Sequence, residues 1–257
     1  MSVTIKKPED IEKLRIAGER LSAILTRLEG EIKPGVTTDE LNTMAEEMVR
    51  EYGDRAAFKG YRPEGAGRPF PSSLIVSIND EIVHGIANEN PKTIQDGDIV
   101  SIDMGLAHEG MIADSARTVI AGRGNKMKSA LLTATYEALH AGIEAAYGDA
   151  YVGDIGFAIQ TVARKYNVSI AEGLAGHGVG YEVHEDPYIP NKGKRGTGYK
   201  LLPGMVIAIE PMFTTGRGAI KLADDGYTYL TQDGSLSAHF EHTVLITEGK
   251  PEILTAE

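Results

Sequence analysis

The sequence contains no cysteine. That excludes a disulfide framework and any thiolate nucleophile, so metal ligands, if the chain has them, must be His, Asp or Glu. Positive charge is also scarce: 26 Lys and Arg stand against 37 Asp and Glu, a net charge of −11, which argues against dedicated nucleic-acid binding. No apolar run approaches the ~18 residues that a membrane helix needs. The start, MSVTIKKPED, has no hydrophobic signal core. These absences describe a soluble, cytoplasmic globular protein with no membrane association. What is present is 257 residues with 42% apolar content, enough for one large core or two modest ones.

Periodicity predicts a helix over 8–30, where Ile11, Leu14, Leu21, Ile24, Leu25 and Leu28 keep close to a 3.6-residue period. Thr37-x-x-Glu40 is a capping-box signature for a second helix, running to about Tyr52. The stretch FKGYRPEGAGRPFP is too rich in Gly and Pro to be regular, and strands are expected at 74–78, 98–104 and 111–120. The pattern then restarts, with helices over 126–147 and 153–166, the second ending at Asn167, and more loop and strand to the end. Gly97-Asp-Ile-Val-Ser-Ile-Asp103 has an echo in Gly204-Met-Val-Ile-Ala-Ile-Glu210, Asp114 leading into Thr118-Val-Ile has one in Glu241 leading into Thr243-Val-Leu-Ile, and His84-Gly85 has one in His177-Gly178. The echoes in one order point to an internal duplication within a single 1–257 domain, its halves spanning about 8–120 and 125–250.

Within VSIDMGLAHEGMIADSART, alternation places Ile99, Ser101 and Asp103 on one face of a strand. If the chain folds back at His108-Glu109, Asp103 and Asp114 become direct cross-strand neighbours, roughly 5 Å apart at Cβ. Two carboxylates near 4 Å repel by roughly 4 kcal/mol at an effective dielectric of 20. Something positive must then sit between them: an Arg, a proton or a metal ion. Arg117, the nearby candidate, points away on this register. A duplicated fold would gather Asp103, Asp114, Glu210 and Glu241 at its centre, and two divalent cations would cancel their charge. Oxygen ligands plus one imidazole suit Mn, Fe, Co or Zn.

Among the histidines, His177 lies in AGHGVG, where the glycines let the backbone approach closely and the imidazole project. His108, read in the turn, and His140, on a helix, are assigned ordinary structural roles. So, on sequence physics alone, are His84 and His184. His239 shares the Glu241 face of its strand, and His242 faces the other side. Glu46, Glu47 and Glu51 fit an exposed helix face. Glu210, between VIAI and PMF, does not, because burying an unpaired carboxylate is costly.

SINDEIVHG, SIDMG…IADSART, GHGVGYEVHEDP, LLPGMVIAIEPM and SLSAHFEHTVLIT together resemble the type I, bacterial kind of methionine aminopeptidase, across nearly the whole chain. The resemblance implies the pita-bread α/β fold, with a central antiparallel sheet backed by helices and a pseudo-two-fold axis. The short N-terminus resembles the minimal form without a zinc-finger extension. The activity implied is removal of N-terminal methionine from nascent proteins with a small second residue. By resemblance, two divalent ions would be held by Asp103, Asp114, His177, Glu210 and Glu241, with Asp114 and Glu241 bridging. The same resemblance puts His84 and His184 in contact with substrate and gives Glu210 the proton transfer. The side-chain pocket would include Phe58, Tyr61, Phe70 and Tyr227, with Val183 where a bulkier residue is common and His239 where many relatives carry Gln. The loop 58–71 is several residues longer than in the family. A monomer is expected. The basic segment NKGKRGTGYK (191–200) reads first as a solvated loop and second as a contact for ribosomal RNA. The rival readings are an Xaa-Pro aminopeptidase or dipeptidase on the same fold, which usually has a further N-terminal domain, a metal-free creatine hydrolase, and a non-catalytic binding protein.

Overall fold

The computed structural model describes residues 3–63 and 65–256. Among these residues, four helices form where the apolar period and the caps place them: α1 (Pro8–Glu31), α2 (Thr38–Glu51), α3 (Lys126–Glu144) and α4 (Val152–Tyr166). α1 starts with Pro8 in its first turn, where the missing N–H costs nothing. At α2 the capping box is reciprocal: the Glu40 N–H donates to Thr37 Oγ1 at 3.2 Å and the Thr37 N–H to Glu40 Oε2 at 2.7 Å. α4 ends on Asn167 in the left-handed conformation, φ 53°. α3 stops at Glu144, three residues short of expectation, in the Ala145-Ala146 turn.

Among the described residues, fifteen strands complete the fold: β1 (Arg55–Ala56), β2 (Ile75–Ile78), β3 (Glu81–Val83), β4 (Ile99–His108), β5 (Met111–Ile120), β6 (Ser169–Ile170), β7 (Gly176–Gly178), β8 (Glu185–Ile189), β9 (Val206–Ile209), β10 (Met212–Thr214), β11 (Ile220–Leu222), β12 (Tyr229–Thr231), β13 (Ser237–His239), β14 (Glu241–Leu245) and β15 (Glu252–Ile253). The main sheet runs β1-β4-β5-β14-β9-β7-β8, every pair antiparallel, with β2 on β4 and β15 on β14. Alternation then sorts the side chains. Val100, Ile102, Met104 and Leu106 of β4 pack under α1 and α2, while Ile207 and Ile209 of β9 pack with α3 and α4. The carboxylates take the other face. This is the α/β architecture anticipated, an antiparallel sheet backed by helices. Among the described residues, no helix is long and apolar enough to cross a membrane.

The β4–β5 register differs from expectation. The turn is Glu109-Gly110, with φ of 47° and 85°, not His108-Glu109. A two-residue hairpin loop with both residues at positive φ matches the strand twist, and His108 becomes the last residue of β4, paired with Met111. Asp103 therefore faces Ala116, and Asp114 faces Gly105. The partner moves by two residues, so the face is kept and the aspartates are diagonal neighbours instead of direct ones. Arg117 does point away from them. Its guanidinium reaches Thr26 Oγ1 at 2.7 Å and Ser22 Oγ at 2.9 Å on α1.

Candidate metal centre

The sheet order assembles the site. Asp103 on β4 is opposite Ala116 on β5, and Ala116 is opposite Glu241 on β14. His242 is opposite Ile209, so Glu210, one residue past β9, adjoins Glu241. His177 comes from β7, which pairs with β9 through Gly178 and Ile207. Five consecutive strands, β4-β5-β14-β9-β7, thus deliver the four carboxylates and one imidazole that the sequence singled out, Glu210 from the residue just past β9. The ligating atoms of Asp114, His177 and Glu241 lie within 4.8 Å of one another.

The electrostatics are unfavourable as they stand. Burial first, and then mutual repulsion, push the carboxyls of Asp103, Glu210 and Glu241 well above the usual range; burial raises Asp114 to about 7. Among the described residues, Asp103 Oδ1, Asp114 Oδ1 and Glu241 Oε1 are buried without a hydrogen-bond partner, although buried polar atoms are normally satisfied. His177 sharpens the point. Its Nδ1 stands 2.9 Å from the Gly178 carbonyl, which can only accept, so Nδ1 carries the proton. Burial lowers the imidazole pKa to about 3 and keeps it neutral, leaving a lone pair on Nε2. That lone pair faces Glu210 Oε1 at 3.4 Å. Two acceptors so placed need a proton or a cation between them. The donor set, all oxygen plus one imidazole with its other nitrogen tied to a carbonyl, fits divalent metal.

A cavity opens over this cluster. Its apolar wall is Phe58, Tyr61, Pro63, Phe70, Ile75, Val183 and Tyr227, and its polar wall includes His84, His184 and the five candidate ligands. The loop 58–71 closes on itself through Gly60 N–H to Phe70 O and Phe70 N–H to Tyr61 O, both at 2.8 Å. That pairing gathers its aromatic residues at the cavity. Phe70 meets Tyr227 edge-on at 5.1 Å, and the Tyr227 hydroxyl donates to the Arg68 carbonyl. A second cleft shares His84, His177, His184 and Glu210 with the first and leads past Leu174, Met212 and Tyr188 to the surface.

His84 sits at positive φ, 61°, and its ring, lowered to about pKa 4 by burial, bonds to the Tyr227 backbone. The His184 ring lies 4.4 Å from that of His177, and its Nδ1 is 2.9 Å from the Tyr61 hydroxyl. His239 does not line the cavity wall with the other substrate candidates. It is buried beside Glu210, with Nε2 3.6 Å from Oε2. His242 faces away, as the alternation requires, with Nδ1 2.9 Å from Thr255 Oγ1. His108 pairs with Asp54 at 2.8 Å, and His140 packs edge-on against Tyr136; neither approaches the cluster. In the basic segment, Lys192 pairs with Glu172, Lys200 with Asp149, and Arg195 lies over Phe157.

Sequence reasoning passed over Lys6. Its ammonium is buried against the carboxylate of Glu185, the residue after His184, at 2.6 Å. A lysine two residues before the first residue of a helix gives no sign of burial, since its partner is distant in the chain.

Comparison with known proteins gives one consistent result. Residues 12–248 match the profile of metallopeptidase family M24. A methionine aminopeptidase of Aquifex aeolicus is 43% identical over 259 residues, covering 99% of both chains. The crystal structure of a methionine aminopeptidase from Thermotoga maritima superposes with a TM-score of 0.94 at 39% identity, covering 99% of this chain and 100% of that one. A prolidase from Pyrococcus furiosus superposes less closely, with a TM-score of 0.76 at 25% identity, covering 98% of this chain but 65% of the prolidase.

Proposed function

We propose, from the premise that this chain belongs to metallopeptidase family M24, that its buried acidic cluster is a dinuclear metal centre at the blind end of a methionine pocket. The chain is a hydrolase that removes N-terminal methionine from polypeptides by cleaving the first peptide bond. The observation that carries the metal reading is the lone pair of His177 Nε2 facing Glu210 Oε1 beside three orphaned carboxylate oxygens. Asp103, Asp114, His177, Glu210 and Glu241 would hold two divalent ions, Mn, Fe, Co or Zn, which supply Lewis acidity toward water and the substrate carbonyl.

The chain's own groups then have distinct tasks. Phe58, Tyr61, Phe70, Val183 and Tyr227 enclose the methionine side chain in an apolar wall. The α-amine reaches the acidic cluster only if nothing precedes it, which restricts cleavage to one residue. Glu210 takes the proton released by the attacking water and passes it to the leaving amine nitrogen as the C–N bond breaks. His184, neutral because burial lowers its pKa, donates from Nε2 to the oxyanion that develops at the carbonyl. His84, whose one ring N–H is engaged with the Tyr227 backbone, accepts the scissile amide N–H at its other nitrogen. The polypeptide leaves through the second cleft, past His84 and His177, and a small second residue is preferred on this reading.

The natural substrates on this reading are nascent polypeptides in the cytoplasm, acted on by a monomer whose two helix-backed halves are pseudo-repeats. Activity of the metal-stripped protein on Met-Ala-Ser, restored separately with Mn, Fe, Co and Zn, tests the centre. Cleavage of Met-Ala-Ser but not Ala-Pro-Ala is expected. Full activity after exhaustive chelation overturns the metal assignment.

A further inference from the structure

Residues 3–7, before α1, lie across the loop that carries Val183 and His184. One carboxylate joins them. Glu185 Oε2 accepts from Lys6 Nζ at 2.6 Å and from the Thr4 hydroxyl; its Oε1 accepts from the backbone N–H of Tyr181 at 2.6 Å and of Glu182 at 3.2 Å. The pair is out of water, with 0% of the Lys6 side chain and 5% of the Glu185 side chain exposed. The lysine stem packs flush on the loop backbone: a Cβ built on Gly180, at φ 138°, would fall 2.3 Å from Lys6 Cε. The same loop is tied to β5 by Ile112 N–H to Gly180 O at 2.7 Å, two residues before Asp114. Lys6 itself is tied to the start of the Glu210 segment, its N–H donating to Gly204 O at 2.8 Å.

A buried ion pair is a poor source of net stability, because desolvating two charges offsets their attraction. What it supplies here is geometry. Ammonium and carboxylate fix the two backbone N–H groups that immediately precede Val183 and His184. We propose that the Lys6–Glu185 pair is a positioning device for the reaction, holding the 181–184 loop so that His184 meets the developing oxyanion. This rests on the role given to His184 above.

The test is a double-mutant cycle on Met-Ala-Ser with metal-loaded enzyme. Lys6→Met and Glu185→Gln are made alone and in a His184→Ala background. Glu185→Gln is isosteric and keeps the oxygen that accepts from Tyr181 and Glu182, so it reads the pair even if Lys6→Met fails to fold. Each single change is expected to lower kcat about tenfold, as a small misplacement of a catalytic group does, with KM and bound metal within about twofold. In the His184→Ala background, either change should lower kcat by less than about twofold. An equal loss in both backgrounds, or undiminished kcat in Glu185→Gln, overturns the positioning role. Full activity in His184→Ala alone is a different result: it removes the oxyanion role of His184, and the positioning claim with it.

Discussion

The Tyr61 hydroxyl and His184 Nδ1 stand 2.9 Å apart. Burial raises the tyrosine's pKa, so it keeps its proton, and burial lowers the histidine's, so the ring is neutral. A hydroxyl that donates to Nδ1 leaves the histidine proton on Nε2. Tyr61 would then belong to the chemistry as well as to the pocket wall. Tyr61→Phe should lower kcat for Met-Ala-Ser about fivefold, the worth of about 1 kcal/mol for one hydrogen bond. A change confined to KM would show that Tyr61 only lines the cavity.

Glu210→Gln should fold normally and retain almost no turnover. The substitution keeps the shape at a site where the carboxyl pairs with His177 and lies near His239, and removes the group that takes the proton. Circular dichroism and steady-state rates decide the matter. More than about a tenth of the wild-type rate would remove the proton role.

Stability without metal should fall as pH rises above about 6.5 and through about 7, the Asp114 value. The raised carboxyls, Asp114 at about 7 and the other three well above the usual range, keep their protons in the folded chain at pH values where the unfolded chain has lost them. The folded state then binds more protons, so its advantage is full at low pH and is lost as pH climbs through the folded values. His84, His177, His239 and His242 shift the opposite way, to about 3 or 4. Their effect lies below the unfolded imidazole value of roughly 6.5, outside this window. Added divalent metal should flatten the trend by replacing protons at the same oxygens. Thermal melts of chelated and reconstituted protein check this, and a chelated midpoint that rises across the window contradicts it.

Gly105→Ala should loosen the methionine pocket's hold on substrate. A Cβ at that position, opposite Asp114, would fall 2.8 Å from the Phe58 ring. Phe58 must then shift within the cavity wall. KM should rise about fivefold, with a loss of about 1–3 kcal/mol in stability from overpacking. An unchanged KM would mean that Phe58 does not contact the side chain.

The local rules were legible because they act over a few residues. The α2 capping box, Asn167 as the end of α4, and the alternation that separates Asp103 from Ile102 all follow from dihedral preferences and period. The β4–β5 register was misplaced by two because turn chemistry, not strand pattern, sets it, and Glu109-Gly110 puts a glycine at the second of the two positive-φ positions. The aspartates kept a common face because a strand repeats every two residues.

The sequence by itself determined the composition of the cluster: four carboxylates and one imidazole with no thiol among them, and Glu210 in a segment too apolar to leave it in water. Only the tertiary structure decided which neighbours complete it. Tyr61 reaches His184 across 123 positions of chain, and Lys6 reaches Glu185 across 179. The reason is physical. Periodicity and propensity report the energy of a residue against its own backbone, whereas a buried hydrogen bond or ion pair depends on where packing brings a distant partner, and a lysine or tyrosine in sequence carries no mark of the water it will lose.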